Sequence, residues 1–215
     1  MFPFDAEVLA SSYALYNAAM WPAQPVALAL ALAALWLAAA PRAWSGRIVG
    51  AILAAGWAWC SLVFFLQHFE TLDFMAPVYA GAFLLQAALL LFSLVRRRRG
   101  LRKPGDAAGL GGIALAALAL FALPLISGLG DAGFAAARIV GLAPGPTVLF
   151  TLALLPLFEG RPPWLLLPVP LLWCGVAAVT GWALGVPESL AVPVLALPSL
   201  ALFAWCARRP VSMAG

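Results

Sequence analysis

Charge is what this chain has least of. Asp, Glu, Lys and Arg make up 9% of its 215 residues, and 65% are apolar. A soluble domain carries about 25% charged and 45–50% apolar residues. That shortage excludes an ordinary soluble fold, and the apolar excess excludes a disordered chain. No long polar segment is present, so no soluble domain is expected beside the apolar part. There is one lysine, Lys103, and one histidine, His68. A retinal-type Schiff base needs a lysine in the last apolar stretch, where this chain has none. A single histidine cannot ligate haem from both faces. The three cysteines, Cys60, Cys174 and Cys206, form no Cys-x-x-Cys pair, which excludes a zinc or dithiol motif. Inside apolar stretches they read as small buried hydrophobes. The first residues, Met1 to Glu7, lack a basic n-region, so no cleavable signal peptide is expected. No Asp, Glu, Lys, Arg or His falls in the middle of an apolar stretch. Ion-coupled transporters and proton pumps usually place an ionisable group there. No metal and no cofactor is expected.

What is present is apolar sequence in blocks of membrane length. A helix needs about 20 apolar residues to cross the hydrocarbon core. Seven blocks meet that requirement: 22–40, 48–67, 74–95, 109–128, 141–158, 164–184 and 189–206. The expected fold is all-α: one polytopic transmembrane helix bundle over 1–215, with about seven spans, or six if 141–158 does not cross. That fifth block is short and contains Pro144, Pro146 and Pro156.

The basic residues orient the bundle. With seven spans, one side collects Arg42, Arg47, Arg96, Arg97, Arg98, Arg99, Arg102, Lys103, Arg161, Arg208 and Arg209, eleven of the twelve cations. Only Arg138 falls on the other side. Cytoplasmic loops collect Lys and Arg, so the N-terminus is expected outside and the C-terminus inside. Six spans would divide the cations far less cleanly. The run over 96–108 then becomes a basic cytoplasmic loop. Flanked by membrane-length blocks, it is a topology signal and a contact for anionic lipid at Arg96 to Lys103, not a nucleic-acid site. The lipid bilayer is the expected partner. Acidic residues lie mostly on the outer side: Asp5, Glu7, Glu70, Asp73, Asp131 and Glu188.

Polar uncharged residues suggest where a site would lie. Residues 4–19 pattern as a short amphipathic helix with Val8, Leu9, Tyr13 and Tyr16 nearly on one face. Such a helix lies in the membrane interface. It is followed by "NAAMWPAQP", in which Asn17 and Gln24 are seven apart. Headgroup anchoring accounts for Trp21 but less well for two amides. Gln67 and His68 stand in "FFLQHFETLDF". Tyr79 and Gln86 are two turns apart on one helical face. Polar side chains in spans serve as packing glue between helices, or line a cavity. Inward-running helices open on Trp21-Pro22, Ala76-Pro77, "APGPT" and "VPES", and proline suits a first turn. "APGPT" adds a chain break near membrane depth, tolerated only where protein or a wet cavity surrounds it. There Thr147 and free N–H groups could meet an anion.

The candidate ligand-lining residues are therefore Tyr16, Asn17, Gln24, Gln67, His68, Tyr79, Gln86, Thr147 and Glu188. Three function classes compete. The first is an inner-membrane protein that binds or passes a small ligand through a cavity open to the extracytoplasmic side. The second is a non-catalytic membrane scaffold or partner subunit. The third, an intramembrane enzyme with His68 and Glu70 or Asp73 as base, lacks an obvious nucleophile, so an enzyme is the lesser expectation.

Four segments, "YNAAMWPAQP", "WAWCSLVFFLQHF", "GLAPGPTVLFTLALL" and "RPPWLLLPVPLLW" with "GVPES", together resemble the bacterial domain-of-unknown-function 6064 family of multi-span membrane proteins. The resemblance covers nearly the whole chain in motif order. It implies a bacterial inner-membrane protein and no established activity. It also implies cysteine between the two prolines where this chain has Gly145, so a thiol role at that turn does not carry over.

Overall fold

The computed structural model describes residues 5–129, 133–160 and 163–208. Phe4, Asp131, Arg161 and Arg209, used above, lie outside them. Among the described residues every named element is a helix and none is a strand. An isolated antiparallel bridge joins Leu101 and Phe158. The helices are α1 (Ala6–Ala19), α2 (Ala23–Ala39), α3 (Ser45–Trp59), α4 (Ala76–Leu90), α5 (Ala107–Gly128), α6 (Pro144–Leu154), α7 (Pro168–Leu184) and α8 (Pro187–Arg208). Two of them run on without a break into π-helical turns, α3 through Cys60–Phe69 and α4 through Leu91–Arg96.

Five helical segments are long and apolar enough to cross a membrane: Ser45–Phe69, Ala76–Arg96, Ala107–Gly128, Trp164–Leu184 and Pro187–Arg208. Helices α1 and α2 pass that test only together, and they are bent by 91° at the break between them, so the number rises to six if the pair is one span. The expected block 141–158 forms the shorter apolar helix Pro144–Leu157, which by length alone is not a span. At 1.5 Å per α-helical residue and 2.0 Å in its last 3₁₀ turn, it covers about 22 Å.

Local sequence explains the helix ends. Asp5 caps α1 by accepting from the Val8 amide at 2.9 Å, and Asp106 caps α5 by accepting from Gly109 at 2.8 Å. Proline opens α4, α6 and α7, where a missing N–H costs nothing. Pro124 interrupts the α5 ladder, and Ser127 bonds back to the Leu123 carbonyl at 2.8 Å.

The loops gather at two ends. At one, Arg102 N–H donates to the Leu157 carbonyl and Glu159 N–H to Gly100. Gly46 lies against the Arg99 carbonyl so closely that any side chain would collide with it. The basic residues 96–103 sit here. At the other end, α1 meets the 3₁₀ turn Gly133–Ala136 and the end of the α3 extension.

Helix α6 is the centre of the core: each of its residues is buried, among α3, α5, α7 and α8. It is held by threonines rather than by charge. Trp57 Nε1 donates to Thr151 Oγ1 at 2.9 Å, and both residues are fully buried. Thr151 in turn donates to the Thr147 carbonyl at 2.7 Å. Replacing Thr151 with the isosteric valine strands the indole N–H without a partner, at a cost of about 1–3 kcal/mol. Thermal unfolding in detergent should show Thr151→Val clearly below wild type and Thr151→Ser close to it. Equal midpoints for the valine variant and wild type would contradict this account.

Candidate functional site

The extended stretch before α6 needs partners for its backbone, and α1 supplies them. Asn17 donates both amide protons, to Ala135 O at 2.8 Å and Ala137 O at 2.9 Å. Tyr16, buried on α1, donates its hydroxyl to Leu142 O at 3.0 Å and accepts from Trp59 Nε1 at 2.8 Å. Gln24 donates to the Asn17 carbonyl at 2.8 Å and so closes the corner between α1 and α2. Tyr16, Asn17 and Gln24 therefore form one seam joining the bend to the loop ahead of α6.

That seam sets Arg138. Its backbone N–H donates to Ser127 Oγ at 3.1 Å, and Nη1 donates to Ser189 Oγ at 3.1 Å. The guanidinium lies 4.6 Å from the centre of the Tyr13 ring. Three helices, α1, α5 and α8, thus fix one cation that is only 8% exposed. Among the described residues it has no carboxylate within ion-pair reach. A buried cation without an anion is expensive. A neutral hydroxyl and a ring face offset that cost only in part.

Arg138 stands where two cavities meet. The outer one, about 790 Å³, opens between α1 and the 185–188 turn and is lined by Glu7, Ser11, Tyr13, Arg138 and Glu188 among others. The inner chamber is only about 50 Å³ and is lined by Tyr13, Phe64, Asp73, Tyr79, Arg138 and Trp173 among others. Both linings include Leu9, Tyr13 and Arg138. Asp73 is 6% exposed and accepts from the Met75 amide at 2.9 Å at the start of α4. Trp173 is boxed edge-on by Phe65, Tyr79 and Phe83 at centroid distances of 5.4, 5.7 and 5.3 Å. Its buried indole N–H has no hydrogen-bond partner. The arrangement is an aromatic chamber with a guanidinium at its neck, a carboxyl in its wall and carboxyls at the outer rim. A guanidinium fork matches a carboxylate geometrically.

The nine residues singled out in the sequence do not converge. Tyr79 lines the chamber and Glu188 the outer cavity. Tyr16, Asn17 and Gln24 spend the bonds described above on the fold. Thr147 Oγ1 accepts from Gly141 N–H at 2.8 Å and donates to Ala143 O at 2.7 Å, with Cys60 Sγ at 3.7 Å. Gln86 is fully buried, donates to Leu166 O at 3.0 Å, and leaves Oε1 without a partner. Gln67 is exposed. His68 is half-buried, with Nδ1 3.0 Å from Val63 O and its ring edge-on to Tyr16 at 5.0 Å, outside both cavity linings. Among the described residues no three His, Cys, Asp or Glu side chains come together in a metal cradle. The cavities add Arg138, Tyr13, Trp173 and Ser189, which the sequence reading did not single out as ligand-lining. The seven-span expectation sets Arg138 apart as the one cation off the basic side.

The seam makes a testable demand. Asn17→Asp removes both donors and sets a carboxylate against two carbonyls. Two lost bonds of about 1 kcal/mol each should speed amide hydrogen exchange over 133–143 by about tenfold to thirtyfold. Exchange in α5 should stay unchanged. Unaltered protection of 133–143 would show that Asn17 does not hold the loop.

The model of a family of unknown function, DUF6064, matches residues 6–213, and the chain belongs to that family. No curated protein and no solved structure matches it.

Proposed function

We propose that the protein is a multi-pass protein of the bacterial inner membrane that receives a small zwitterionic solute from the extracytoplasmic side. In this reading the chain crosses seven times, with its N-terminus outside. Helix α6 serves as a short crossing shielded by its neighbours. The course of α6 supports this, since it runs from the Tyr16 seam to the Arg102 tie at the opposite end. The charge pattern supports the orientation, with the basic residues at the far end from both cavities.

The observation that carries the ligand class is Arg138, a buried cation at the junction of two cavities with no carboxylate in ion-pair reach among the described residues. The solute's carboxylate occupies the guanidinium fork. Acidic side chains flank that cation on both sides, Asp73 inward and Glu7 and Glu188 outward. They disfavour a dianion and favour a partner that also carries an ammonium group. Tyr13, Tyr79 and Trp173 supply aromatic surface for that cationic end. The chamber admits only a few atoms, so the body of the solute stays in the outer cavity, whose volume suits a small molecule. Whether the solute is then passed inward or only sensed, the same neck residue governs binding.

The test is a thermal-shift panel on the detergent-purified protein. It uses amino acids and betaines, simple monocarboxylates, dicarboxylates and amines. One class of zwitterion should raise the midpoint by several degrees at saturation, where about 100 times Kd contributes about 2.7 kcal/mol. Dicarboxylates and amines should not. Arg138→Gln should abolish the shift, and Arg138→Lys, which keeps the charge but loses the fork, should weaken affinity about tenfold or more. A zwitterion shift that survives in Arg138→Gln would refute the assignment. So would the absence of any carboxylate response in wild type, which would favour a scaffold that meets other membrane proteins.

A further inference from the structure

A second cavity system lies on the other side of α3 and has different chemistry. Between α2 and α3 runs a surface groove made of two depressions. One, about 510 Å³, is bounded by Trp44, Arg47, Ile48 and Val95 at the basic end of the molecule. The other, about 190 Å³, reaches Trp59, Gly141 and Thr147. Leu30, Ile52 and Ala55 line both, so the groove is continuous. Its floor is low because the facing positions are small, among them Ala27, Ala31, Ala55 and Gly56. The ridges beside it are large, with Val26, Leu30 and Ile48 about half exposed.

Three features identify the occupant. The first is length. Arg47 and Trp59 are twelve residues apart on one helix, about 18 Å at 1.5 Å per residue. One leaflet's share of a roughly 30 Å hydrocarbon core is about 15 Å. The second is polarity. At the inner end the Trp59 indole is bonded to Tyr16 and the Thr147 hydroxyl to Gly141 and Ala143, so an apolar end meets no free polar group. The third is charge. Arg47 stands at the outer end, and Gly46 abuts the Arg99 backbone, which brings the 96–99 run alongside. Arg42 is stacked on Trp36 and Trp44, 5.1 and 5.6 Å from their ring centres, and so holds the Trp44 wall in place.

We infer that the α2–α3 groove is a lipid site that holds one acyl chain of an anionic glycerophospholipid from the leaflet at the basic end, with the headgroup phosphate at Arg47. The inference rests on the membrane reading above but not on the Arg138 ligand. It differs from a general attraction of the 96–103 run to lipid, because the groove selects for one chain at one place. The slot keeps lipid against α2, the helix whose corner Gln24 closes.

Native mass spectrometry of the full chain in mild detergent tests this, with phosphatidylglycerol or phosphatidylcholine of the same acyl composition added. Wild type should retain one phosphatidylglycerol about fivefold better than phosphatidylcholine, as one basic side chain near an anionic headgroup predicts. Arg47→Gln should erase the preference without abolishing binding. Ala55→Phe, which fills the groove where its two depressions join, should lower retention of both lipids about tenfold or more. Leu172→Phe, on the exposed face of α7, should change neither. Equal retention of the two lipids by wild type, or undiminished retention in Ala55→Phe, would overturn the site. Failure of the membrane reading would show separately, as a chain that is soluble without detergent.

Discussion

Backbone carbonyls between Ala135 and Ala143, outside any α-helix, are the constraint on which this structure turns. Between the 3₁₀ turn Gly133–Ala136 and α6, the chain runs through irregular backbone while its side chains are largely buried. Each polar group there must find a partner in the protein, and a bilayer would make the need stricter. The partners are Asn17, Tyr16 and Thr147, with two amide protons and two hydroxyls. Because they come from α1 and α6, satisfying the loop also fixes how α1 folds back over the bundle. Arg138 inherits its position from that arrangement.

The same seam divides the two cavity systems. Trp59 lines the apolar groove and points its indole N–H at Tyr16. Tyr13, one turn earlier on α1, lines both polar cavities and lies under the Arg138 guanidinium. Phe64 stands between the two tyrosines, with ring centroids 5.3 and 5.2 Å away. A few aromatic rings therefore separate a surface suited to hydrocarbon from one suited to charge.

The helical plan was legible because its signal is long and redundant. Blocks of apolar residues mark the helices, and prolines mark their starts, as at Pro77, Pro144 and Pro187. The corner between α1 and α2 was legible only in outline. Asn17 and Gln24 are seven apart, which on one continuous helix aligns their side chains, but the 91° bend turns the Gln24 amide onto the Asn17 carbonyl. The candidate site around Arg138 was harder to see because it is assembled from distant pieces. Arg138 meets Tyr13, Ser127 and Ser189, which lie on three different helices. No local spacing encodes that meeting. Polarity alone does not say where a side chain's bonds go: Gln86 donates to Leu166 O and Thr147 to Ala143 O.

The shortness of α6 bears on how the molecule is assembled. A helix of about 22 Å with proline at both ends is a poor candidate to enter a bilayer as an independent unit. Its surface is covered on every side, and part of that cover is α8, which is synthesised after it. Helix α6 therefore waits for sequence that has not yet left the ribosome. During that interval the apolar face of α6 that α8 will cover needs cover from the earlier helices. Helix α8 thus completes the cover of α6, and truncations that remove it should disturb the centre of the molecule before its edge.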